Sequence, residues 1–136
     1  MNILQGKEEN FKRTIVIVED DFSNAEVLTL LLQTEGAYEV LCFREGAEAL
    51  ANLDRIKEKK PALFLLDYQL SGMTALDLYK RLQAIEGLEK VPAIIISATT
   101  ISVEQKEHLQ QLNLPLIPKP YNIEDLLTAI EQAVSR

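Results

Sequence analysis

The chain has 136 residues, 47% of them apolar and 26% charged, enough to bury one core without metal or disulfide support. A formal charge of −7 argues against a lone nucleic-acid binder, because gripping phosphates needs a basic face; a basic protein partner or a divalent cation suits it better. The single cysteine, Cys42, excludes an internal disulfide and a C-x-x-C redox motif, and no stretch approaches the roughly 20 apolar residues that span a bilayer, so the expectation is a cytoplasmic protein with no membrane contact.

Residues 1–12 read as a polar tail without a signal-peptide apolar segment, with Phe11 its one candidate for docking. Thr14 to Val18 is a β-branched run, the first strand, and it stops on Glu19-Asp20-Asp21. Asp21 fits an acid favoured by the dipole at a helix start. Ser23 with Glu26 predicts a capping box, and the helix would bury Ala25, Leu28, Leu31 and Leu32 before Gly36 ends it. Tyr38 to Phe43 alternates as a second strand, at an edge because Glu39 lies inside it, with Cys42 expected as a small buried hydrophobe. One helix carrying Ala49, Leu50, Leu53 and Ile56 then runs into Lys57-Glu58-Lys59-Lys60 and stops at Pro61.

Ala62 to Asp67 is a short apolar run ending abruptly on a carboxylate, the pattern of a strand buried on both faces. An acid there must face water, a cation or a reactant, because an isolated buried charge is strongly disfavoured. A loop at Ser71-Gly72-Met73 leads to a helix with Ala75, Leu78, Leu82 and Ile85 on one face. Pro92 to Ile96 is the fourth strand, followed by Ser97-Ala98-Thr99-Thr100. Ser102 and Gln105 predict a capping box for a weak helix with only Val103, Leu109 and Leu112 to bury, and His108 on it is expected to be exposed. Leu114 to Pro118 is a fifth strand that meets Lys119-Pro120, and Asn122 caps an amphipathic last helix with Ile123, Leu126, Leu127, Ile130 and Val134 on one face.

Strand and helix therefore alternate five times, which implies an α/β fold, a doubly wound parallel sheet with helices on both faces. Such sheets bind ligands outside the carboxyl ends of their strands. Glu19-Asp20-Asp21, Asp67, Ser97 and Lys119 all fall at those ends, so residues far apart in sequence share one rim. Each alone is an ordinary residue; their joint placement is what points to chemistry. Carboxylates so crowded call for a cation, and a few hard oxygen ligands suit Mg²⁺. With a Lys and a hydroxyl beside them, the arrangement suggests phosphoryl transfer onto the Asp67 carboxylate.

The motifs Ile17-Val18-Glu19-Asp20-Asp21, Leu65-Leu66-Asp67-Tyr68-Gln69-Leu70-Ser71-Gly72-Met73, Ile96-Ser97-Ala98 and Lys119-Pro120 resemble those of response regulator receiver domains of two-component signal transduction, from about residue 13 to 136. The resemblance implies a flavodoxin-like five-stranded parallel sheet in the order 2-1-3-4-5, whose ligand site lies where the winding of the sheet reverses. It implies that Asp67 is the phosphoacceptor and that Glu19, Asp20, Asp67 and the backbone carbonyl of Gln69 hold Mg²⁺. Ser97 and Lys119 would bind the phosphoryl group, and the Lys119–Pro120 peptide would be cis. The implied donor is a histidine kinase or histidine phosphotransfer protein, and the implied output is a conformational shift read by a downstream protein rather than enzymatic turnover. Gln69 and Thr99 stand where similar proteins tune hydrolysis. Three departures stand out: Leu116 replaces the usual switch aromatic, Ala75 a common Gly, and Leu114-Pro115 an Ala-Gly-Ala type turn. No output domain is evident in the sequence, so a stand-alone receiver is expected.

Two rivals belong beside this reading. A pseudo-receiver that is never phosphorylated would use the same fold as a docking scaffold. An aspartate-nucleophile phosphohydrolase would usually want a second acid two residues after Asp67, where this chain has Gln69.

Overall fold

The computed structural model describes residues 12–135, so the expected docking of Phe11 lies outside the described residues. Five parallel strands form the sheet: β1 (Thr14–Val18), β2 (Glu39–Phe43), β3 (Leu63–Asp67), β4 (Ala93–Ser97) and β5 (Leu116–Pro118). Their spatial order is 2-1-3-4-5, the flavodoxin-like arrangement that the family resemblance implied, with β1 paired to β2 and β3, and β4 to β3 and β5. Every residue of β1, β3 and β4 is buried, as expected of central strands covered on both faces. The helices are α1 (Phe22–Thr34), α2 (Gly46–Leu50), α3 (Leu53–Lys59), α4 (Ala75–Gln83), α5 (Val103–Gln111) and α6 (Ile123–Val134).

The two-residue period of the strands sorts the core into two layers. Val16, Val18, Phe64, Leu66 and Ile95 pack with Ile56 of α3, Leu78 and Leu82 of α4, and Leu109 of α5. Ile15, Ile17, Leu63, Leu65, Ile94 and Ile96 pack on the other face with Leu28 and Leu32 of α1 and Leu126 and Ile130 of α6. Each fully buried aliphatic side chain contributes roughly 1.5–3 kcal/mol.

Several local expectations are corrected. Helix α1 begins earlier than the Ser23–Glu26 box predicts, because Asp21 is extended and its carboxylate accepts the Asn24 N–H at 2.8 Å, leaving Ser23 inside the helix. The single helix expected before Pro61 is two: Asn52 donates its side-chain amide to the Glu48 carbonyl at 2.7 Å, a local bond that competes with the helical ladder. The Ser71-Gly72-Met73 loop is the tip of a small antiparallel hairpin, Gln69–Leu70 with Met73–Thr74, turned by Gly72 at φ +82°. Cys42 is exposed, because it alternates with buried Leu41 and Phe43 on an edge strand. Val103 is 71% exposed, and Ile101, just before the Ser102 cap, enters the core instead. The Ser102–Gln105 capping box and the Asn122 cap form as read, and α4 has a box of its own between Thr74 and Asp77. His108 is exposed.

Candidate functional site

Parallel pairing brings the carboxyl ends of β1, β3, β4 and β5 to one rim, where a cleft of about 380 Å³ opens. Glu19, Asp20, Asp67, Gln69, Ser97 and Lys119 all line it, so all six residues singled out in the sequence share one mouth. Burial separates them by element. Glu19, Asp67 and Ser97 each follow or end a buried strand and are 1%, 8% and 3% exposed. Asp20 is half-buried and stands one residue nearer the surface.

Lys119 ties the rim together. Its Nζ donates to Glu19 Oε1 at 2.7 Å and to Asp67 Oδ2 at 2.8 Å. The other Asp67 oxygen, Oδ1, accepts the backbone N–H of Gln69 at 3.1 Å. The β3-to-hairpin link is held from both sides, since Tyr68 N–H donates to the Ile96 carbonyl and its own carbonyl accepts the Ala75 N–H. The Lys119–Pro120 peptide is cis.

Three of the four acids that line the mouth, Glu19, Asp20 and Asp67, offer carboxylate oxygens that all lie within 4.8 Å of one another, while the Asp21 carboxylate caps α1. Burial, then the hydrogen-bonding proximity of Asp67, pushes the Glu19 carboxyl up to about 7, against the opposing pull of Lys119. Burial draws the Lys119 ammonium down, but its bonds to Asp67 and Glu19 outweigh that and hold it above the ordinary lysine value. Fully ionised, three carboxylates against one ammonium leave an excess that a single divalent cation balances. Hard oxygen donors of this kind fit Mg²⁺, so the residues present suit the metal that the sequence motifs imply.

Ser97 adds its hydroxyl from the end of β4, and its backbone carbonyl accepts the Lys119 N–H at 2.7 Å, linking the two rim residues through the sheet. Arg44 was missed in the sequence. Its guanidinium lies 5.6 Å from the Phe22 ring centroid, with Nη2 3.5 Å from the Asp20 carbonyl. The signal was available: Arg44 directly follows β2, and the carboxyl end of every parallel strand reaches the same rim. The other large apolar groups nearby lie on the outer side of α1, where Phe22, Val27 and Leu30 are all more than half exposed.

Comparison with known proteins gives a consistent result. Residues 15–131 match the family model described as response regulator receiver domain. The chain is 30% identical over 128 residues to the DNA-binding response regulator MtrA of Mycobacterium tuberculosis, covering 94% of this chain and 53% of that protein. It is 32% identical over 123 residues to the sensory transduction protein RegX3 of Mycobacterium bovis, covering 90% of this chain and 51% of that one. The chain thus spans about half the length of the curated relatives it matches. Among solved structures it resembles a CheY-like response regulator receiver domain protein from Methanospirillum hungatei, with a TM-score of 0.78, 25% identity, and coverage of 92% and 95%. The chemotaxis response regulator CheY4 of Vibrio cholerae shares the fold with a TM-score of 0.77 at 22% identity, over 90% of this chain and 99% of that one.

Proposed function

This chain belongs to the response regulator receiver domain family of two-component systems, and from that premise we propose that Asp67 accepts a phosphoryl group from a histidine kinase or histidine phosphotransfer protein. The observation that carries the proposal is the Asp67 carboxylate, held 2.8 Å from the Lys119 ammonium in a cleft also lined by Glu19, Asp20, Asp21 and Ser97. An Asp67 oxygen forms the new O–P bond as the donor's N–P bond breaks, with the electron pair leaving on the imidazole nitrogen. Lys119 is the mobile positive charge that accompanies the phosphoryl oxygens, and Ser97 is the hydroxyl that donates to one of them. Glu19, Asp20 and Asp67, with the Gln69 carbonyl, would hold Mg²⁺, which when bound would supply charge neutralisation to the transferring group.

Helix α1 supports docking of the donor. It starts at the acid ridge and presents Phe22, Val27 and Leu30 to solvent, an apolar surface beside the mouth of the kind that a partner covers. The acyl-phosphate then shifts the balance between two states of the surface around α5, α6 and β5. Helix α5 suits a moving part, since Leu109 is its one buried residue. The chain acts as a phosphoacceptor rather than as a turnover enzyme.

Intact mass after acetyl phosphate with Mg²⁺ tests this directly. One phosphoryl adduct is expected on the wild type and none on Asp67→Asn. No adduct and no beryllofluoride binding on the wild type would favour the docking scaffold, and the same adduct on Asp67→Asn would move the acceptor elsewhere.

A further inference from the structure

The Ser97 hydroxyl, which the proposed function assigns to the phosphoryl group, is already spoken for. All three of its hydrogen-bonding contacts come from one residue, Thr99: the Thr99 N–H donates to Ser97 Oγ at 3.2 Å, Ser97 Oγ donates to the Thr99 carbonyl at 3.0 Å, and the two hydroxyl oxygens lie 3.2 Å apart. A hydroxyl has one proton and two lone pairs, so this set saturates it. Its single proton cannot serve the Thr99 carbonyl and a phosphoryl oxygen together. The backbone of Ser97 offers no slack either, being paired with Pro118 in β5 and bonded through its carbonyl to Lys119. Only the side-chain torsion is free to choose between the two partners.

The geometry points to Thr99 as a positioning residue that holds the Ser97 hydroxyl against the loop after β4 until an anion at Asp67 draws it away. The inference rests on the phosphoacceptor reading and adds to it a threshold set by Thr99. Ser97 is buried and Thr99 exposed, so the latch can be altered from the solvent side without cutting into the core. Replacing Thr99 by valine keeps the shape of the side chain and removes one of the three contacts.

The test is titration of the intact chain with beryllofluoride in Mg²⁺. Thr99→Val is expected to bind about fivefold more tightly than the wild type, the scale of one hydrogen bond no longer competing. Thr99→Ser keeps the hydroxyl and should stay within about twofold of the wild type. In a Ser97→Ala background the valine change should have no effect, because the hydroxyl it releases is gone. Equal or weaker binding by Thr99→Val, or the same gain in the Ser97→Ala background, overturns the latch while leaving the phosphoacceptor reading standing. No binding by the wild type overturns both.

Discussion

Replacing Lys119 by methionine keeps the unbranched stem of the side chain and removes the ammonium that donates to Glu19 and Asp67. Two buried carboxylates with oxygens within 4.8 Å of each other then face one another without a counter-charge. At an effective dielectric near 20, two unit charges no farther apart than 4.8 Å repel by at least about 3.5 kcal/mol. That agrees with the roughly 3–5 kcal/mol lost when one partner of a buried pair is deleted. Protonation of Glu19 offers an escape whose cost depends on pH. Keeping a group of ordinary pKa 4.5 neutral costs about 2 kcal/mol at pH 6 and about 5 kcal/mol at pH 8. The wild type, with Glu19 held near 7, already bears that cost at pH 6, so the loss there is small; it grows to as much as about 3–4 kcal/mol at pH 8, where the carboxyl would be ionised and the repulsion stands uncompensated.

The sign follows from linkage. The folded-state pKa of Glu19 is raised, so the stability tied to its proton is whole below 4.5 and is lost as pH rises through about 7 in the wild type. Without the ammonium that loss extends to higher pH. Urea unfolding at pH 6 and pH 8, with chelator and then with Mg²⁺, reads the effect, and Mg²⁺ should restore much of the deficit at pH 8. A deficit that is the same at both pH values, or absent at pH 8, would refute the charge-balance account of the mouth.

Mg²⁺ should raise the unfolding midpoint of the wild type with the logarithm of its concentration above Kd, and Asp20→Asn should blunt the response in the same thermal scan. Leu65→Ala, in a strand buried on both faces, should cost about 2–5 kcal/mol by urea unfolding with the fold retained. Thr74→Ala, which breaks the capping box of α4, should cost about 1 kcal/mol, measured the same way. Alanine at Phe22 or Leu30 should slow phosphotransfer from a donor protein and leave acetyl phosphate labelling unchanged, which two labelling time courses would separate.

What could be read in advance was whatever repeats with a period. The buried strands, their order of alternation with helices and the last helix follow from apolar spacing, and the rim residues follow from where those runs stop. The Ser102–Gln105 box and the Asn122 cap were legible too, but other features set by a single polar contact were not. The amide of Asn52 divides one expected helix into two, and the Asp21 carboxylate outcompetes a well-formed Ser23–Glu26 signal by lying closer to the turn out of β1. The hairpin at Gln69–Thr74 is too short for alternation to register. Arg44 carries no signal beyond its place at a strand end, because an arginine after an edge strand is an ordinary surface charge until its contacts with Phe22 and the Asp20 carbonyl are seen. The turning of Ser97 toward Thr99 depends on one torsion, which sequence does not encode in any pattern.

At the opposite pole of the sheet, the guanidinium of Arg13 donates to the carbonyl of Val134 at 2.8 Å, fastening the approach to the first strand onto the close of the last helix. The described chain thus enters and leaves at the base, separated from Asp67 by the length of a five-residue strand, about 17 Å. A tag, a surface linkage or a fused module attached at this base leaves the acidic mouth open to a visiting donor. Any influence between a module attached there and the mouth has to travel through the packed layers or around the outside.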